Sequence, residues 1–177
     1  MRKTIIGVMG PRDLATDSDL KNAFELGRLI ALHGWILLSG GGNTGVMEAV
    51  NQGAKKENGL TVGIVWTDAH TEVSSAVDIS ILTGLGSARN NINVLSSDVV
   101  IACGMAAGTA SEVCLALKAK RHVILLNDNK LSHAFFSDLG KDYIYVANSP
   151  EEAINRVKAI LRVPTTKELE MENIGKS

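Results

Sequence analysis

The chain has 177 residues, of which 45% are hydrophobic and 21% charged, with a formal net charge of −1. That length suits one domain with room for a sizeable core, and the composition is that of an ordinary soluble globular protein. A balance this close to neutral excludes the basic excess that non-specific binding to nucleic acid or to an anionic membrane needs, while it leaves room for a local positive pocket. The two cysteines, Cys103 and Cys114, form no CxxC and have no His cluster at zinc spacing. They read as buried free thiols of a reducing compartment, and no metal site is expected. Residues 4–9 run straight into Gly10-Pro11 without a signal-peptide pattern, and no apolar run approaches the ~20 residues of a membrane span. The expected location is cytoplasmic, or stromal after removal of a transit peptide.

TIIGVMG (4–10) is a short apolar run that ends in Gly-Pro, a buried strand. Asp17 or Ser18 is placed to cap a helix with Leu20, Ala23, Phe24, Leu26, Ile30 and Ala31 at helical spacing, closed by Gly34. WILLSG (35–40) is the second strand, Val46 to about Lys56 a helix, and LTVGIVW (60–66) the third strand. A short strand follows at 77–84, a helix in SARNNINVLSS, a buried strand at 98–104 and a helix in GTASEVCLALKAK. Strands at 122–127 and 143–147 carry no assigned element between them. Asn148 or Ser149 caps the last helix, with Pro150 in its first turn, to about Arg162. Continuous apolar strands alternating with helices predict an α/β, Rossmann-like doubly wound fold, with a mostly parallel sheet and helices on both faces. Residues 1–163 are expected to form this single domain, and the polar residues 164–177 a frayed or disordered tail.

Ligands in such folds bind at the carboxyl ends of the strands, where three loops stand out. The first is Gly40-Gly41-Gly42-Asn43-Thr44-Gly45. Consecutive glycines carry a backbone entropy cost, and a helix N-terminus offers free N–H groups to an anion, so this loop reads as a phosphate cradle or as a tight turn. It is neither a Walker loop nor a dinucleotide fingerprint. The second, Gly84-Leu85-Gly86-Ser87-Ala88-Arg89-Asn90, puts Arg89 in a first helical turn, where the dipole disfavours a cation. Its anionic partner is either a ligand or Glu112. The third runs from Gly104 to Glu112 and holds Gly108 and Thr109. Gly10 and Pro11 end strand one on the same rim. Arg12 is either a second cation for the site or a solvated loop residue. Trp66 either packs or stacks on a planar ring. Asp68 and Glu72 read as solvated.

Together the loops resemble the "lonely guy" family and its lysine-decarboxylase-like relatives. SGGG-x-TGVMEAV is similar to that family's first phosphate-binding loop, and Arg89 and Glu112 match its signature Arg and Glu. The resemblance implies a phosphoribohydrolase that cleaves the N-glycosidic bond of a nucleoside 5′-monophosphate, with Arg89 and Glu112 as catalytic pair. The second motif of those enzymes, Pro-Gly-Gly-x-Gly-Thr-x-x-Glu, is altered here. Gly108, Thr109 and Glu112 are kept, but Met105 and Ala106 replace glycines. IIGVMGP, HGWILLSGG, GVMEAV, TGLGSARNNIN and GMAAGTASEVCLALKAK resemble instead the molybdenum cofactor carrier group of the same superfamily, over nearly the whole chain to about residue 160. That resemblance implies a non-enzymatic homotetramer that binds and protects the molybdenum cofactor, with molybdoenzymes or cofactor-synthesis proteins as partners. The implied cofactor-binding residues are Gly10, Pro11, Arg12, Gly41, Gly42, Asn43, Thr44, Gly45, Gly84, Gly86, Ser87, Arg89, Asn90, Gly108, Thr109 and Glu112, with no resident metal ligand. A nucleotide-sensing or scaffold module is the remaining alternative.

Overall fold

Strand residues that are apolar at every position need cover on both faces, and Val99–Cys103, buried throughout, is such a strand. The computed structural model, which describes residues 2–126 and 129–162, supplies that cover with helices on either side of one sheet. The elements in chain order are β1 (Ile5–Met9), α1 (Asp17–Leu32), β2 (Ile36–Ser39), α2 (Gly45–Lys56), β3 (Thr61–Val65), β4 (Ile79–Leu82), α3 (Asn90–Ser96), β5 (Val99–Cys103), α4 (Ala107–Lys118), β6 (His122–Leu126), α5 (Lys130–Gly140), β7 (Ile144–Val146) and α6 (Pro150–Arg162). The strand order is β4-β3-β2-β1-β5-β6-β7, and every strand pair is parallel. The α/β, Rossmann-like expectation therefore holds.

The order reverses between β1 and β5. The chain winds from β1 outward to β4, then returns to β5 and winds the other way. The loops after β1 and β5 consequently diverge, and a crevice opens at their carboxyl ends. One core cluster, with Ile6, Val8, Leu37 and Ile101, lies under α1, α2 and α6. The other, with Leu38, Val100, Val113 and Phe136, lies under α3, α4 and α5. The helices α1 and α2 touch backbone to backbone. A Cβ placed on Gly53 would sit 1.9 Å from the Phe24 carbonyl oxygen, and one on Gly27 would sit 2.1 Å from that of Val50.

Local details differ from the sequence expectations. Thr16, not Asp17 or Ser18, caps α1. Its hydroxyl accepts from the Asp19 N–H at 3.1 Å, while the Asp19 carboxylate accepts from the Thr16 N–H at 3.0 Å. All these residue types are good caps, and the reciprocal three-residue spacing selects Thr16. At α6 the cap is Ser149, whose hydroxyl accepts from the Glu152 N–H at 3.2 Å. The segment before α3 is a short 3-10 helix, Gly86–Arg89, so Arg89 precedes the α-helix rather than lying inside it. Helix α5 had no sequence assignment. It buries only Ser132, Phe136 and Gly140, while Leu131, Phe135 and Leu139 are exposed, so its apolar spacing does not mark a core-facing stripe. The expected tail at 164–177 lies outside the described residues. Among those described, no helix is long and apolar enough to cross a membrane, and no group of three or more His, Cys, Asp or Glu is placed to hold a metal.

Candidate functional site

The crevice is a cavity of about 460 Å³. Its walls come from Gly10–Leu14 after β1, Gly40 after β2, Trp66 after β3, Gly86, Ser87, Arg89 and Asn90 after β4, and Ala106–Thr109 with Glu112 at the start of α4. Five strand ends thus converge on one volume.

Arg89 is the central charge. Its Nε and Nη1 are buried and have no hydrogen-bond partner, and the Thr109 hydroxyl nearby on the cavity wall is buried and unpartnered too. Among the described residues no ion pair includes Arg89, so Glu112 is not its salt-bridge partner. Burial holds the guanidinium pKa below its ordinary value, and the charge of Glu112 opposes that shift. The group still carries its proton. A buried cation with idle donors is costly unless something answers it, and an anion in the cavity would.

Glu112 is only 7% exposed. One carboxylate oxygen accepts from the Asn93 side-chain amide at 2.8 Å. Burial pushes its pKa up to about 7, against the Asn93 hydrogen bond and the Arg89 charge. A carboxyl raised in this way binds a proton in the folded chain that the unfolded chain has released. Stability therefore falls as pH rises from about 4.5 to 7, and the penalty is complete above that window. Glu112→Gln keeps the acceptor for Asn93 and removes the titration. It should gain about 1–3 kcal/mol on the parent between pH 4.5 and 8, read from urea unfolding at both pH values. Parallel pH curves for parent and variant would show that Glu112 ionises freely.

The glycine loop is placed differently from a bare phosphate cradle. The Gly41 N–H donates to the Ser39 hydroxyl at 3.0 Å, the Asn43 N–H to the Glu72 carbonyl at 3.0 Å, and the Val46 N–H to the Pro11 carbonyl at 3.0 Å. Gly42 pairs with Val73 in an isolated antiparallel bridge. Gly41, Gly42, Asn43, Thr44, Gly45 and Gly84 are not among the lining residues, whereas Gly40 is. The glycines make room instead. A Cβ on Gly40 would sit 2.5 Å from Nη1 of Arg89, and one on Gly42 would sit 3.0 Å from the Trp66 ring. Gly45, at φ +60°, would drive a side chain into the Arg12 carbonyl, 2.1 Å away. A Cβ on Gly108 meets nothing within 4 Å, so that backbone is open to the cavity.

The remaining sequence candidates, Gly10, Pro11, Arg12, Gly86, Ser87, Arg89, Asn90, Gly108, Thr109 and Glu112, line the cavity together. Two guanidiniums lie over Trp66, Arg12 at 4.8 Å from the ring centroid and Arg89 at 5.6 Å. Gly40, Ala106 and Ala107 lie within the loops the sequence singled out, whereas sequence reasoning missed Asp13, Leu14 and Met47 as lining residues, and Asn93 as the partner of Glu112. Asn93 had one signal, its position one turn after Asn90 on the same helix. Cys103 is buried, and burial raises its thiol pKa, so it is inert. Cys114 is exposed, contrary to its buried expectation, because its position on α4 turns it away from the sheet.

Comparison with known proteins places the chain in a family. The molybdenum cofactor binding protein of the phototrophic bacterium Rippkaea orientalis is 61% identical, with a TM-score of 0.90 over 91% of this chain and 99% of that one. The Moco carrier protein of Chlamydomonas reinhardtii is 50% identical, with a TM-score of 0.86 over 90% of this chain and 98% of that one. A protein of Archaeoglobus fulgidus is 36% identical over 155 residues, 88% of this chain and 95% of its own. The SLOG cluster4 family model matches residues 3–154, which span all of the sheet and the whole cavity wall, and the chain belongs to that family.

Proposed function

We propose that the protein binds the molybdenum cofactor in this cavity and carries it to molybdoenzymes without transforming it. The observation that carries this reading is the half-buried Arg89 on the wall of a ligand-sized cavity, with Nε and Nη1 buried and unpartnered, in a chain 50–61% identical to proteins named for that cargo. The cargo is a pterin with a terminal phosphate and an anionic oxo-molybdenum dithiolene. A cavity near 460 Å³ falls within the range of small-molecule sites. Arg89 and the Thr109 hydroxyl would take one anionic group, and the open Gly108 backbone lets it approach α4. Arg12 would answer the second, and Trp66 offers a ring to the pterin. Glu112, neutral over much of the acidic range, would not repel the anion there.

The test is direct. The purified protein is mixed with freshly released cofactor and desalted, and molybdenum and pterin are quantified per protomer. Retention near one of each is expected. Retention of neither, with adenine released from AMP, would place the chain with the phosphoribohydrolases and make Arg89 and Glu112 its catalytic pair.

The carrier works in the cytoplasm as a homotetramer on this reading, and one sheet face suits assembly. The register sets Ile79 and Ile81 beside Val62 and Ile64, on the edge strand of the sheet. Ile79 and Ile81 are 48% and 47% exposed, and Leu85, shortly after β4 in the chain, is exposed as well. Apolar area left bare on this scale favours a second copy. Ile81→Glu should lower the assembly mass in light scattering. An unchanged mass would put the interface elsewhere.

A further inference from the structure

Glu72 reads from sequence as a solvated loop residue, yet it is paired with Arg12 of the cavity wall. Its carboxylate accepts from Nη2 of Arg12 at 3.0 Å, across 60 residues of chain. The backbone around it is tied to the glycine loop. The Glu72 carbonyl accepts from the Asn43 N–H at 3.0 Å, Val73 bridges to Gly42, and the Ser74 N–H donates to the Gly41 carbonyl at 2.9 Å. Glu72 is therefore presented to Arg12 by the same loop that seats Trp66. Asp13 is a weaker tie, 3.6 Å from Nε of Arg12.

We propose that Glu72 tempers the affinity of the site as a latch on its outer cation. It holds Arg12 over Trp66 in place of the ligand's anionic group and yields that guanidinium when the ligand arrives. The inference rests on the reading that an anionic cargo occupies this cavity. The two arginines then play unequal parts. Arg89 has idle buried donors and no partner to displace. Arg12 is already paired, and its pair is 39% and 42% exposed at the two side chains. Half-exposed ion pairs contribute little, so the exchange of one carboxylate for a phosphate or oxo-metal anion is easy. The pair lowers affinity modestly and keeps the outer cation from capturing stray anions.

The test is a double-mutant cycle on Glu72 and Arg12, with two probes. One is the molybdenum cofactor, followed by retention. The other is inorganic phosphate, followed by Trp66 fluorescence in a Trp35→Phe background. Glu72→Gln should tighten binding by roughly two- to fivefold, and the gain should vanish in an Arg12→Ala background. No gain, a loss, or an equal gain without Arg12 overturns the proposal, since Glu72 would then be neutral, a positioner of Arg12, or a diffuse charge. Phosphate binding tightened through Arg12, in a protein that retains no cofactor, keeps the latch and removes the cargo. Cofactor retained equally by parent and Glu72→Gln keeps the cargo and removes the latch. Uptake of neither probe removes both.

Discussion

Replacing Arg89 with Ala should weaken cofactor retention by roughly ten- to a hundredfold, the largest binding effect of any single substitution in the cavity. The reason is the state of its donors. Nε and Nη1 are buried with no partner in the protein, so the ligand answers a cation whose desolvation has already been met by folding. Little of the gain is lost to exchange with another carboxylate, because no ion pair has to be broken first. Arg12→Ala should cost several-fold less, since that side chain is half-exposed and already satisfied by Glu72. Stability should separate the two effects. Arg89→Ala removes buried donors that nothing in the protein answers but also withdraws the charge that opposes the Glu112 shift, so the two effects offset and the variant should unfold near the parent's midpoint in urea. Arg89→Lys should not restore binding, because a point charge cannot offer the planar fork that lies between Gly40 and Trp66. A larger loss from Arg12→Ala than from Arg89→Ala would put the anion on the outer rim instead.

Gly53→Ala should destabilise the fold by about 2–3 kcal/mol, although alanine is the better helix former by ~1 kcal/mol. The new methyl would lie 1.9 Å from the Phe24 carbonyl oxygen and 2.8 Å from its carbonyl carbon. Both atoms are backbone within α1, so no rotamer change relieves the contact and the two helices must separate. Helix α2 also carries Met47 of the cavity wall, so binding should weaken with stability. Gly108→Ala is the matched control. It also lies in a helix, but its Cβ meets no atom within 4 Å. It should leave the fold intact or raise its midpoint, while its methyl intrudes on the cavity and lowers cofactor retention. Equal thermal midpoints for Gly53→Ala and the parent would mean that α1 and α2 yield without cost.

The elements were legible because their signals are local. Val99–Cys103 reads as a strand from five consecutive apolar residues, and α2 from its periodicity and its glycine-threonine start. Alternation of such segments dictated a parallel sheet, since parallel strands need crossover helices on both faces. The rim was legible for the same reason, because loops at strand ends collect at the reversal of strand order. Helix α5 was not, because its apolar residues Leu131, Phe135 and Leu139 face away from the core and give no core stripe.

The site's inner logic required the tertiary structure. Sequence alone left the partner of Arg89 open between Glu112 and a ligand, and left Arg12 open between the site and solvent. Which groups meet depends on how the loops after β1, β4 and β5 converge on one cavity, and local spacing carries no trace of it. The same holds for Gly40 and Gly42. Their residue type announced that the backbone needed space, as three glycines in a row must. Only the packed chain decided what fills that space, namely the Arg89 guanidinium and the Trp66 ring arriving from other strand ends. Local preference is written residue by residue, whereas a buried charge and its neighbours are set by long-range packing.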